Sequence, residues 1–288
     1  MSDNVFERAI KQVWTAHKNH LGPGHQNSLI LEPGNWRAYD PFLFLAEDWF
    51  TRGSFDVHPH RGIETVTYVM EGKLEHYDSA SEEQDELLPG DAQWMTAGRG
   101  VIHKEDPAPG ETVHSLQLWV NLPSKDKMTA PRYQNLRSAN MPVRQEAGAT
   151  IRVFSGSSGG VTASTHNFTP ITMVELIVEP GASVKQELPG TYNGFFFVLE
   201  GEGKFGRDET IGTERSALLL ERAGDHDRSE VTITAVSKLR VLLYAGEPLG
   251  EPIVARGPFV MNTEEQIRQA YQDYREGKFV TFGASSEH

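Results

Sequence analysis

Gly53-Ser-Phe-Asp-Val-His58-Pro-His60-Arg-Gly-Ile-Glu64-Thr-Val-Thr-Tyr-Val-Met-Glu71-Gly72 carries two signals at once. Its latter part, Thr65–Met70, is rich in β-branched and aromatic residues and stops at Glu-Gly, as a strand entering a tight turn does. The same pattern returns: Thr67-Tyr-Val-Met-Glu-Gly72 is matched by Phe196-Phe-Val-Leu-Glu-Gly201, 129 residues later. Downstream, Trp94-Met-Thr-Ala-Gly98 is matched by Leu220-Glu-Arg-Ala-Gly224, 126 residues later. Gly53 and Gly181 each open the loop ahead of the first pair. Two matching segments in the same order predict an internal duplication. The polar stretch Pro123–Pro142, which loses the strand pattern, suits the boundary.

Outward from this segment, strand signals dominate. Ser28–Leu31, Phe42–Leu45, Ser115–Asn121, Met173–Val178, Phe195–Leu199, Ala217–Leu220, Val231–Ala235 and Arg240–Tyr244 are short apolar runs set off by Gly, Pro, Asn and Asp. Many short strands with regular turns predict an all-β sandwich or barrel, and 288 residues at about 100–200 per domain predict two domains. One helix is expected near the end. Thr263-Glu-Glu-Gln266 has the capping-box pattern, Ile267, Ala270, Tyr271 and Tyr274 share a face, and Gly277 suits the stop. Phe6, Ile10 and Trp14 allow a second, shorter helix near the start.

Composition narrows the function. With 27 basic against 40 acidic residues the formal charge is −13, which repels a phosphate backbone, and no Lys/Arg-rich cluster of about five to eight residues is present. Direct nucleic-acid binding is therefore not expected. The chain has no cysteine, so any metal must be held by His, Asp or Glu. The first residues lack the basic and apolar regions of a signal peptide, and no run of about 18 apolar residues would span a membrane. A cytoplasmic protein without membrane partners is the expectation.

The first signal in the opening segment is chemical. His58 and His60 are two apart, so on an extended chain they point to one face. Gly98-Arg-Gly100-Val-Ile-His103-Lys-Glu105 supplies a second such pair, His103 and Glu105. Two pairs on neighbouring strands would place three nitrogens and one oxygen around a point. That donor set suits Fe(II), Mn(II), Ni(II), Cu(II), Co(II) or Zn(II), and with open positions it is typical of non-haem iron that handles oxygen. His17, His20 and His25 lie in a polar Gly/Pro stretch and read as surface loop. His76 and His114 read as single strand histidines in polar contacts. Trp94, Met95 and Trp119 read as core residues, one of which could line a pocket.

These residues also reach a family. His58-Pro-His60-Arg-Gly-Ile-Glu64-Thr-Val66 resembles the first cupin motif in the form that pirins use, and Gly90-Asp-Ala-Gln-Trp-Met-Thr-Ala-Gly98-Arg-Gly-Val-Ile-His103-Lys-Glu105 resembles the second. Leu116-Gln-Leu-Trp-Val-Asn-Leu-Pro123 and Gly257-Pro-Phe-Val-Met-Asn-Thr263 are similar to further pirin segments. The resemblance implies a bicupin: a metal-binding barrel over residues 1–135, a second barrel without a metal site over 136–262, and a C-terminal helix and tail over 263–288. It implies that His58, His60, His103 and Glu105 hold one divalent metal, Fe(II) first. General cupins use the first-motif Glu, here Glu64; pirins are expected to use the Glu after the last His, so Glu64 is expected beside the ligands, holding an imidazole N–H or Arg61.

Carried across at the two offsets, His58, His60 and Glu64 fall on Glu187, Pro189 and Asn193, and His103 and Glu105 on Ser229 and Val231. Those residues cannot hold a transition metal as a set, and His226 nearby has no partner for the task. Pirin-like proteins include ones with quercetin 2,3-dioxygenase activity. The resemblance thus implies a small aromatic enol and O₂ as partners, with Glu105 as general base for the enol proton. Its other implication is a metal-dependent regulatory module that binds a protein partner without turnover.

Overall fold

Apolar residues at alternate positions become strands wherever a second strand can cover their backbone groups, and here each expected run does. Ser28–Leu31 lies within the strand His25–Leu31, Thr65–Met70 within Ile63–Glu71, Ser115–Asn121 within Thr112–Asn121, and Phe195–Leu199 within Asn193–Glu200. The structure is a computed structural model and describes residues 5–78, 85–224 and 226–279. It forms two compact units. One comprises the described residues up to His17, Tyr39–Pro41 and Asn140–Pro248; the other comprises Lys18–Ala38, Phe42–Ala139 and Leu249 onward.

The second half of the chain supplies most of the first unit. A seven-stranded sheet runs Val143–Glu146, Ala149–Ser155, Ile171–Val178, Leu239–Gly246, Asn193–Glu200, Ser216–Leu220, Ile10–Thr15. A second sheet centres on Arg228–Ala235, paired with Ser183–Pro189, Glu202–Phe205 and Phe6–Glu7. Val174, Phe196, Leu218 and Leu243 from one sheet meet Val184, Phe205, Val231 and Ile233 from the other in one continuous apolar core.

The other unit repeats the plan with a different interior. Its seven-stranded sheet runs Arg132–Leu136, Ala92–Thr96, Ile63–Glu71, Thr112–Asn121, Phe42–Thr51, His25–Leu31, Lys18–Gly22, and its four-stranded sheet runs His58–His60, Val101–Pro107, Leu74–Asp78, Asp85–Leu87. The apolar core is divided. Leu43, Ile63, Met95, Val101 and Val260 form one cluster, and Phe50, Val69, Leu74, Leu87 and Val113 form another. Thr67 stands between Ile63 and Val69 on one strand, opposite Gln93 and Gln117 on its neighbours. In the first unit Phe196 takes that place, opposite Leu218 and Leu243. Likewise His76 is opposite Glu105, where the first unit sets Phe205 opposite Ile233. This ladder match moves the expected counterpart of Glu105 from Val231 to Ile233, because hydrogen-bond register, not sequence offset, decides which residues face each other.

Two expectations change, and the C-terminal helix holds. Phe6, Ile10 and Trp14 lie on strands, not a helix: Ile10 and Trp14 pair with Leu220 and Ala217 at the edge of the large sheet. Residues four apart share a face in both geometries, and an available sheet edge selects the strand. The expected domain limits, 1–135 and 136–262, are crossed at both ends: the N-terminal strands join the second-half unit and the segment from Leu249 joins the first-half unit. The C-terminal helix forms as Glu264–Arg275, with Thr263 and Gln266 closing the capping box and Gly277 at φ +68° just beyond. Its buried face is Ile267, Ala270 and Asp273, while Tyr271 and Tyr274 are only partly covered. The tail from residue 280 lies outside the described residues.

Candidate metal centre

His58 and His60 lie at the two ends of the strand His58–His60, and its antiparallel partner sets His103 opposite His58. The three imidazoles converge: ring centroids are 4.5 Å apart for His58–His103, 4.9 Å for His58–His60 and 5.1 Å for His60–His103. One ligand-capable nitrogen from each lies within 4.8 Å of the others. His60 and His103 are buried. Burial and the neighbouring imidazoles hold His103 well below its usual range and His60 down to about 3, and burial lowers His58. All three therefore present neutral rings with lone pairs near neutral pH.

The hydrogen bonds say which lone pairs are free. His58 Nδ1 lies 2.8 Å from the Asp56 carbonyl and can only donate to it, leaving Nε2 as the acceptor. His103 Nδ1 lies 3.4 Å from His76 Nε2, while His103 Nε2 is buried without a hydrogen-bond partner. A buried imidazole nitrogen with no partner, beside two other neutral imidazoles, fits a divalent transition metal and is costly without one.

Glu105 stands apart from the three-imidazole cluster. Its carboxylate groups instead with His103 and His76, again within 4.8 Å. Burial pushes Glu105 up to about 7, against a hydrogen bond from Thr67 and with Asp48 adding to the rise. The Thr67 hydroxyl is 2.8 Å from Glu105 Oε1 and 2.7 Å from Gln117 Oε1. Having one proton, it donates to one of them at a time.

His76, read from sequence as a strand histidine in a polar contact, makes that contact within the cluster itself. It is 2% exposed, packs on Tyr133 and holds His103. The available signal was parity: His76 shares a strand face with Leu74, directly after the Glu71-Gly72 turn. Glu64 is fully buried and accepts from the Thr96 hydroxyl at 2.7 Å. Arg61 does not pair with it; it donates to Asp273 Oδ2 at 2.8 Å and to the Arg99 carbonyl at 2.6 Å. His114 behaves as expected, bonded to Glu47 at 2.8 Å and stacked on Trp49. His226 stacks on Phe6.

Beside the imidazoles lies a slot of about 290 Å³, near the small end of the usual ligand-pocket range of ~300–1,000 Å³. One wall is a sheet face: Phe44, Ala46, Asp48 and Phe50 alternate along one strand, opposite Trp119, Gln117, Ser115 and Val113 in turn. All but Val113 line the slot, as do His58, His60, Glu105, Phe55 and Pro258. His25, read from sequence as surface loop, also lines it. A tight Pro23-Gly24 hairpin folds the His20 and His25 segments into paired strands, and His25 bonds Asp48 at 3.0 Å. Trp119 is the expected core aromatic that reaches the slot, edge-on to His60 at 5.1 Å, whereas Trp94 and Met95 are buried. No described helix is long and apolar enough to cross a membrane.

Two cupin units in one all-β chain, one of them carrying a histidine cluster, define a bicupin. The Pirin family model matches residues 26–120, and the model of the pirin C-terminal cupin domain matches residues 173–280. The chain belongs to the pirin family. A pirin-like protein of Solanum lycopersicum is 42% identical over 83% of this chain and 81% of its own. Among solved structures, a protein from Geobacillus kaustophilus is 62% identical, with a TM-score of 0.84 over 86% of this chain and 99% of that one. A quercetin 2,3-dioxygenase from Acinetobacter baumannii is 30% identical, also with a TM-score of 0.84, over 95% of this chain and 99% of that one.

Proposed function

We propose that this pirin is a metal-dependent dioxygenase of small aromatic enols, of the quercetin 2,3-dioxygenase type, with His58, His60, His103 and Glu105 holding one Fe(II). The convergence of three neutral imidazoles, two of which line an aromatic slot, carries the proposal. A bound divalent ion supplies Lewis acidity and open positions where an enolate oxygen and O₂ can meet. The rest falls to the chain. Trp119 and Phe44, their rings 5.3 Å apart and tilted by 53°, form the apolar wall that receives an aromatic ring beside His60. Glu105 accepts the enol proton, and the Thr67 hydroxyl stabilises the carboxylate before it does so. His76 holds His103 in the orientation that turns its Nε2 inward. The reading is supported further by the 30% identical quercetin dioxygenase, which matches nearly the whole chain.

The test is O₂ consumption and CO release by iron-loaded protein with a flavonol, prepared anaerobically and then exposed to air. Turnover that tracks metal occupancy is the expected result. Full occupancy without turnover of any aromatic enol would overturn it and move the chain to the regulatory reading, a metal-dependent module that binds a protein partner.

A further inference from the structure

The slot has a second polar end that the chemistry above does not use. Asp48 is buried at 7% exposure, and its Oδ1 accepts from His25 Nε2 at 3.0 Å. Burial raises the Asp48 carboxyl, and the His25 hydrogen bond restrains the rise. The pair is framed by rings: His25 meets Phe55 edge-on at 4.8 Å, and Phe50 meets Phe55 at 4.9 Å. The ladder gives its place in the slot. Asp48 is opposite Ser115, and Ala46 is opposite Gln117, which Thr67 links to Glu105. The His25–Asp48 pair is therefore one inward-facing step, about 7 Å along the strands, from the row that reaches Glu105. Trp119 and Phe44 lie one step the other way, beside His60. The small side chain of Ala46 leaves the floor between the two ends open.

From this arrangement, and resting on the proposed enol chemistry, we infer that the His25–Asp48 pair is a specificity element that holds a hydroxyl on the far end of the aromatic substrate. The favoured class is an aromatic enol that also carries a distal hydroxyl, with a neutral donor at Asp48. An anionic substituent is disfavoured: Asp48 and Glu105 are the acids there, and no Lys or Arg is among the described residues lining the slot. An Asp carboxylate that accepts from a ligand hydroxyl in a half-closed slot contributes about 10- to 100-fold in affinity.

The experiment compares dissociation constants of three flavonols for metal-loaded protein under anaerobic conditions. One has phenolic hydroxyls away from the enol, one lacks them, and one carries a carboxylate in their place. Wild-type protein should prefer the hydroxylated compound by about 10- to 100-fold, and bind the carboxylate least. Asp48→Asn, and independently His25→Gln, should collapse that preference toward unity, with metal content measured on the same samples. An unchanged preference in both variants, no preference in wild type, tightest binding of the carboxylate, or no binding of any of the three overturns the inference. Air exposure of the same samples separates the two claims. Preference without O₂ consumption sinks the dioxygenase reading and leaves this one standing.

Discussion

Glu105, the proposed carboxylate ligand, faces opposite demands with and without a metal. Without a metal its folded pKa is raised to about 7 by burial, so the protein holds a proton there that the unfolded chain, at the ordinary value of 4.5, releases. The sign follows: this group's contribution favours the fold at low pH and declines as pH rises from the ordinary value through about 7. The histidines act in reverse. Their lowered values mean the folded protein binds fewer protons than the unfolded chain, so their contribution is present above the ordinary histidine range and is lost as pH falls from there through the lowered values, to about 3 for His60. With the imidazoles held below their ordinary range, the protons that metal binding releases at pH 6 should come mainly from Glu105. At pH 8.5 the release should be much smaller. Calorimetry in buffers of different ionisation enthalpy reads this directly, and Glu105→Gln should sharply reduce the release at pH 6. If Glu105 is also the base, that variant should stay about 10²- to 10⁴-fold slow at saturating metal. Glu64→Gln should be milder, because Glu64 is engaged with Thr96. Recovery of full rate by Glu105→Gln in excess metal would reduce Glu105 to a ligand. His58→Ala and His103→Ala should each lose stoichiometric metal while keeping the far-ultraviolet circular dichroism of the parent, since neither residue belongs to the apolar clusters at the ends of the barrel. One equivalent of metal retained in both would sink the ligand assignment.

Among the elements, the short strand His58–His60 is the most exposed to error, because three residues cannot hold the two proposed ligands in place alone. Its far end is fastened by the C-terminal segment. Arg61 bridges to Phe259 in parallel, its guanidinium binds Asp273 of the helix, and it stacks 4.5 Å above the Phe279 ring. Gly62, at φ +80°, lies so close to the Val260 carbonyl that a Cβ would stand 2.0 Å from it. Lys127, itself buried, bonds both the Gly62 and Val260 carbonyls, at 2.9 and 3.0 Å. Asp273, which burial pushes up and which the hydrogen bonds from Arg61, Gln269 and Lys278 together hold down to about 2, is the acidic half of this clasp. Asp273→Asn should cost about 2–3 kcal/mol of stability, less than a fully buried pair would, because the largely buried Asp273 side chain keeps 12% of its surface exposed. It should also weaken metal binding by about 10- to 100-fold, as loss of a ligand's support does. Thermal melts together with a metal titration check both. Unchanged affinity at reduced stability would make the helix a structural prop only.

At the scale of the molecule, the two units are one plan with two interiors. The polar positions Thr67, Gln93, Gln117, His76 and Glu105 of one unit correspond in register to Phe196, Leu218, Leu243, Phe205 and Ile233 of the other. A continuous apolar core stabilises without a ligand, whereas a divided core around neutral imidazoles gains stability by binding one. The whole protein should therefore bind one transition metal per chain. Saturating metal should raise the midpoint of the thermal transition in wild type, and the His58→Ala variant should show no such rise. Two tight equivalents per chain by elemental analysis would contradict this reading.

Sequence alone determined what depends on local period and on residue chemistry. Alternation and turns placed the strands, the Thr263–Gln266 box started the helix, the matching Glu-Gly turns disclosed the duplication, and the residues of the two histidine-containing pairs named a donor set. These are legible because neighbours along the chain settle them. The structure alone decided what depends on which strands become neighbours. The spacing of Phe6, Ile10 and Trp14 was compatible with helix and strand until a sheet edge accepted them. His25 read as loop until a hairpin carried it to Asp48. His76 read as an ordinary strand histidine until register set it beside His103 and opposite Glu105. The fastening of His60 by Arg61 and Asp273 joins residues 212 positions apart. No pattern within either segment announces it, because the free energy of that contact exists only after the chain has closed the loop between them.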